Sequence, residues 1–224
     1  MRMRAQLWRR GRVVIMITAV AVLATGCVDV VQYISGTGST IDVYLRLALQ
    51  KSAFEIGNSF SDEPQDMDEM FEEDFELNRD EVLGELPEGI TADYSQINNE
   101  FDYGFELSYS ASRDTFAELE GEEGAFVPRV TARGMTIPLA EAGDGSGGGQ
   151  SGEGDEFAAA FLGGAKYRVF ISKRLVSRVS SARLANGSMS TDVTVIDLPD
   201  VWMIQFPISL WLMSDATPSL EISY

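Results

Sequence analysis

The chain of 224 residues contains no histidine. That one absence removes Ser-His-Asp and Cys-His catalysis together with every zinc site built on imidazole. A single cysteine, Cys27, means that no intrachain disulfide can form, so the fold has to rest on its apolar core. Lys and Arg number 17 against 35 Asp and Glu. So acidic a chain lacks the basic surface that nucleic acid requires, and nucleic acid is excluded as a partner. G-x-S-x-G, S-x-x-K and G-x-x-x-x-G-K-[ST] do not occur, which leaves no nucleophile elbow and no phosphate-binding loop. Gly143, Gly145 and Gly148 satisfy G-x-G-x-x-G, but they sit inside EAGDGSGGGQSGEGDE, where low complexity explains the match. No cofactor is expected. No apolar run approaches the ~20 residues that a spanning helix needs.

What is present begins with a tripartite N-terminus. Arg2, Arg4, Arg9, Arg10 and Arg12 precede an apolar stretch from Val13 to Ala24 that is interrupted only by Thr18. This is the pattern of a targeting signal, and it is too short for a permanent membrane helix. The small residues Ala24, Thr25 and Gly26 lead into Cys27. The order resembles the lipobox of bacterial lipoproteins, with one departure: Ala24 stands where a larger aliphatic residue is usual, and Leu23 lies one step further out. The resemblance covers residues 1–27 and implies cleavage before Cys27, acylation of that cysteine by palmitate-type chains, and a mature protein tethered to a membrane. Asp29 comes one place too late for the enterobacterial inner-membrane retention signal, which favours the outer membrane, facing the periplasm. Two or more acyl chains hold a protein stably where one does so only marginally.

After residue 26 the chain carries 12 basic and 35 acidic residues, a formal charge of −23. Period-2 alternation, the mark of strands with one buried face, recurs along it. Ile41, Val43, Leu45, Leu47 and Leu49 alternate with Thr40, Asp42, Tyr44, Arg46, Ala48 and Gln50, and GTGS before them predicts a hairpin from VDVVQYIS. Phe101 to Tyr109 alternates in the same way. VPRVTARGMTI, KYRVFISKRLV, TDVTVID and VWMIQFPISLWLM are further strands; the last places Trp202, Ile204, Phe206, Ile208, Leu210 and Leu212 on one face, and Pro207 makes it an edge or bulged strand.

Helical patterns are fewer. SAFEIGNSF and RDTFAELEG predict short helices, and residues 62–86 predict an exposed acidic helix with Met67, Phe71 and Phe75 on a thin apolar stripe. Eleven acidic residues between 62 and 81 repel one another there, and the run lacks the ligand spacing of a calcium loop, so no metal site is expected. Seven glycines between 143 and 154 predict a disordered loop over residues 143–156. The assembled expectation is a lipoprotein signal peptide (1–26) followed by one α+β domain (27–224). That domain has a mainly antiparallel sheet of five to eight strands and a few helices packed on one face.

The order of elements also resembles LppM-like lipoproteins: a lipobox, early strands, a central helical region, an aromatic strand, here EFDYGFEL, and a late W-x-x-x-F-P segment, here Trp202 to Pro207. That resemblance implies a membrane-tethered domain with an apolar cavity that handles lipid. Trp202, Phe206 and Trp211 are the residues offered for lining such a cavity, although strand periodicity reads the same three as core. Lys166, Arg168, Lys173, Arg174, Arg178 and Arg183 offer contacts to a phosphate or lipid headgroup, or else form the polar face of a strand paired with the acidic half, residues 27–156, which hold 6 basic and 30 acidic residues. The functional expectation is a non-enzymatic, lipid-anchored envelope protein that binds an apolar ligand or another envelope protein. The alternative is a carboxylate-dependent envelope hydrolase.

Overall fold

A computed structural model describes residues 28–37, 39–52, 90–118, 126–139, 164–186, 189–212 and 217–224, with Glu55, Arg79, Leu83 and Leu86 besides. The signal stretch 1–26, Cys27, the glycine-rich loop 143–156 and most of the acidic segment 62–86 lie outside the described residues. Of that last segment Arg79 and Leu83 are helical, and Leu83 and Leu86 pack against the core.

The described chain is dominated by strands in two sheets. The larger sheet contains β1 (Val28–Thr37), β2 (Thr40–Gln50), β3 (Thr91–Asn98), β4 (Asp102–Ser112), β7 (Lys166–Ser172), β10 (Thr194–Asp197) and β11 (Val201–Pro207), in the order β10-β11-β7-β1-β2-β4-β3. The smaller contains β5 (Arg129–Val130), β6 (Gly134–Pro138), β8 (Ser181–Asn186), β9 (Met189–Asp192) and β12 (Ser219–Ser223), in the order β5-β6-β12-β8-β9. Every pairing is antiparallel except that of β1 with β7. Val193 alone separates β9 from β10, and the chain passes from one sheet to the other at that residue.

The expected single sheet with helices over one face is therefore corrected. The inward residues of the smaller sheet, among them Met135, Ile137, Ala182, Leu184, Leu220 and Ile222, join those of the larger in one buried cluster. Among the described residues the two apolar sheet faces satisfy each other, and the helices do not form a covering layer. The helices in the described part are short: α1 (Arg113–Glu118), where the Ser112 hydroxyl accepts from the Thr115 N–H at 3.0 Å as an N-terminal cap, and α2 (Ser209–Leu212).

The long strand expected over VWMIQFPISLWLM is also corrected. β11 stops at Pro207, and the chain turns into α2. β11 is an interior strand, between β10 and β7, and it tolerates Pro207 because the proline is its final residue. The hairpin of β1 and β2 follows the expected pattern, with Val28 opposite Leu49 and Thr37 opposite Thr40. Gly104 in β4 lies where β2 comes closest. A Cβ there would stand 2.0 Å from the Leu47 carbonyl oxygen, so only glycine fits.

One polar node sits inside this apolar layer. Gln32 points inward from β1 and is fully buried; its Nε2 donates to the Phe126 carbonyl at 2.7 Å, while its Oε1 accepts from the Tyr167 hydroxyl. The Tyr109 hydroxyl donates to the same Phe126 carbonyl at 2.7 Å. Phe126 holds a left-handed backbone, φ 64°, which is costly for a bulky residue and persists only when its surroundings over-determine it. Here the two donors to its carbonyl, and its own N–H given to Pro138 O at 2.7 Å, do so.

Candidate functional site

The pleat of the larger sheet sorts its aromatic residues onto two faces. Tyr167, Val169 and Ile171 face inward and are fully buried, so Lys166, Arg168 and Phe170 face outward. On that outer face the register lines up Ile196, Met203, Phe170, Tyr33 and Tyr44 across β10, β11, β7, β1 and β2. Four of the five are half-buried, and Tyr33 is exposed. A face turned only to water would be polar at these positions.

The row ends in a cleft of about 300 Å³ lined by Tyr33, Ser35, Asp42, Tyr44, Thr91, Asp93, Ser108 and Ser110 with Val43 and Tyr109. It is shallow and open, and it mixes two phenol rings with hydroxyls and two carboxylates. Such a surface stacks on flat groups and accepts hydrogen bonds from polar ones. The Tyr44 hydroxyl donates to Glu106 Oε1 at 2.8 Å, and its pKa is pushed up to about 12, first by burial and then by that carboxylate. Tyr44 therefore stays neutral in the cleft at ordinary pH.

Beside the row lies an ionic network. Arg46 Nη2 stands 2.9 Å from Asp102 and its Nη1 3.5 Å from Asp29, while its Nε is 3.8 Å from Glu106. Arg168 reaches the other oxygen of Asp29 at 2.7 Å. A second cleft, of about 290 Å³, is lined by Asp29, Arg46, Asp102 and Arg168 with Lys166, Val28, Ala48, Gln50 and Gly164. Of the basic residues named from the sequence, Arg168 thus pairs with the acidic half, whereas Lys173 pairs with Asp197 and Arg183 with Glu221 at 2.6 Å, within the later part of the chain.

The three aromatic residues named from the sequence are not brought together as a group. Phe206 and Trp211 are buried against Tyr167, with ring centroids 5.3 and 6.3 Å from it, and Phe126 packs edge-on against Trp211 at 5.7 Å. Trp202 lies at the other end of β11, half-buried, its Nε1 donating to Val176 O at 3.1 Å and Lys173 Nζ 4.8 Å from its ring centre. Cys27 lies outside the described residues, and β1 begins at the next residue. Among the described residues no three Asp, Glu or Cys side chains stand together as a metal site, and no helix is long and apolar enough to cross a membrane.

The sequence pattern placed Tyr44 on the polar face of β2 without marking it, and Tyr33 was not singled out. The usable signal was an aromatic residue at an outward position on both arms of one hairpin. No family model and no curated protein matches the chain.

Proposed function

We propose that this chain is a non-enzymatic lipoprotein of a bacterial cell envelope, tethered through acyl chains on Cys27. It binds another envelope protein through the outer face of its larger sheet. The tether places it in a membrane, the outer one facing the periplasm, and its charge of −23 after residue 26 argues against nucleic acid as a partner. The observation that carries the binding half is the apolar row from Ile196 to Tyr44 running into the tyrosine cleft. Rows of half-buried apolar groups on an open face are where protein partners seat. A lipid tail held between the sheets is less well supported, because the aromatic rings at Tyr167 are already packed on one another. Asp42 and Asp93 line the same cleft, and they are where the alternative, a carboxylate-dependent hydrolase, would put its chemistry.

Two experiments test the two halves. Intact-mass analysis of the membrane form should give a chain that begins at an acylated Cys27; a free thiol there overturns the anchor. A photo-crosslinking residue at Tyr33 should trap one discrete envelope protein in intact cells, and Tyr44→Ser should abolish that adduct while leaving thermal unfolding unchanged. Persistence of the adduct, or no adduct in cells that carry the acylated protein, overturns the binding face.

A further inference from the structure

We infer that the end of the larger sheet at which β1 starts is a bilayer-docking surface, with Phe101 and Leu210 entering the lipid interface on either side of the anchor. The inference rests on acylation of Cys27 and goes beyond it, because an anchor on a flexible tether would leave the domain free to tumble. No tether exists here: β1 starts at Val28, whose Cα is about 3.8 Å from that of Cys27 across one peptide bond. The first residue of β1 must therefore lie at the headgroups.

Strand order decides what lies beside it. β1 is fourth of seven, with β7 and β11 on one side and β2 and β4 on the other. The end of β11, the start of β4 and the start of β1 all share one edge, since Pro207 pairs with Lys166, Lys166 with Asp29, Val28 with Leu49 and Asp102 with Gln50. Phe101 immediately precedes β4, and Leu210 lies in the short helix after β11. Strands are spaced about 4.8 Å apart, so the two side chains stand roughly 10 Å from the anchor in opposite directions.

These two residues are 70% and 42% exposed, and with Tyr33 and Met189 they make up the exposed large hydrophobic residues among those described. Phenylalanine and leucine are residues that settle at the boundary of headgroups and acyl chains. The same end also avoids the repulsion that the chain's acidity implies, because Arg46 and Arg168 neutralise Asp29 and Asp102 there. Docked in this way, the strands stand along the membrane normal. The tyrosine cleft then faces sideways, about 16 Å above the headgroups, since Tyr33 is five residues along β1.

The test uses the full acylated protein in vesicles of phosphatidylethanolamine and phosphatidylglycerol. Because acylation consumes the one native thiol, Phe101→Cys, Leu210→Cys and Thr37→Cys each take a single nitroxide; Thr37 is exposed at the far end of β1. Labels at 101 and 210 should lose most of their collisions with a water-soluble nickel chelate and gain collisions with oxygen, while the label at 37 keeps the chelate profile. Phe101→Trp, a smaller change, should add emission over wild type that lipids brominated on their tails quench. Labels at 101 and 210 that behave like the label at 37 on an acylated chain overturn the docking alone. An unmodified Cys27 overturns the anchor and the docking with it.

Discussion

Two pairs of tyrosines on opposite faces of one sheet show how differently the same side chain is used in this molecule. Tyr109 and Tyr167 face inward, fully or nearly fully buried, and their hydroxyls are committed to the Phe126 carbonyl and to Gln32. Tyr33 and Tyr44 are cross-strand neighbours on the outer face, where Tyr33 is 38% exposed and Tyr44 opens onto the cleft. The inner pair fastens the larger sheet to the Phe126 turn, whose N–H in turn bonds Pro138 of the smaller sheet, and the outer pair is available to something else. If that division is right, substitutions inside should cost stability and those outside should cost only recognition.

The largest expected effect is therefore that of Tyr167→Ala. It removes a ring packed against Phe126, Phe206 and Trp211 and leaves Gln32 without a donor, so chemical denaturation should report a loss of about 3–5 kcal/mol. Gly104→Ala comes next. Its Cβ would press on the Leu47 carbonyl and lie 2.9 Å from the Ala48 Cα, a backbone clash that should cost about 2–3 kcal/mol by the same measurement. Gln32→Ala should cost about 1–3 kcal/mol, because it strands the buried Tyr167 hydroxyl and removes one of the two bonds that hold the Phe126 carbonyl.

The inner pair also predicts alkaline sensitivity. Burial raises the pKa of both Tyr109 and Tyr167 above the ordinary value of 10.0, so the folded state retains protons that the unfolded chain releases. Stability should be level below pH 10 and fall above it, by up to about 1.4 kcal/mol per pH unit for each tyrosine that stays protonated only when folded. Denaturation midpoints from pH 8 to 11 check this, and a flat profile would contradict the burial. The smallest effect belongs outside. Tyr33→Ser should change stability by no more than about 0.5 kcal/mol, and a loss comparable to that of Tyr167→Ala would erase the distinction between the faces.

How much of this was legible in the sequence follows the range of the interactions involved. The β1–β2 hairpin and β4 were readable because an alternating run with a turn signal is a local property. β3, β8 and β12 were not singled out. β3 is a lightly buried edge strand, and β8 and β12 are short, so neither the alternation in TADYSQIN nor that in SLEIS extends far enough to stand out. Pro207 suggested an edge or bulged strand running on to Met213, whereas β11 is interior and ends at the proline; local pattern does not reveal whether a proline ends an interior strand or sits in an edge one. Of the candidate site, the outward position of Tyr44 was readable. Its alignment with Phe170 and Met203 was not, since that depends on β7 joining β1 from more than a hundred residues away.

By itself the sequence determined which side chains share a face of each strand, because the pleat has a period of two wherever a strand forms. It also determined that no imidazole chemistry and no intrachain disulfide are possible, because those residues are absent or single. Only the tertiary structure decided that, among the described residues, the inward faces of two sheets meet in one core. It also decided that Gln32 has a buried role and that five outward apolar residues form one row. Those outcomes depend on which distant strands pair and in what register, and pairing is selected by the fit of whole faces, a property that no single segment carries.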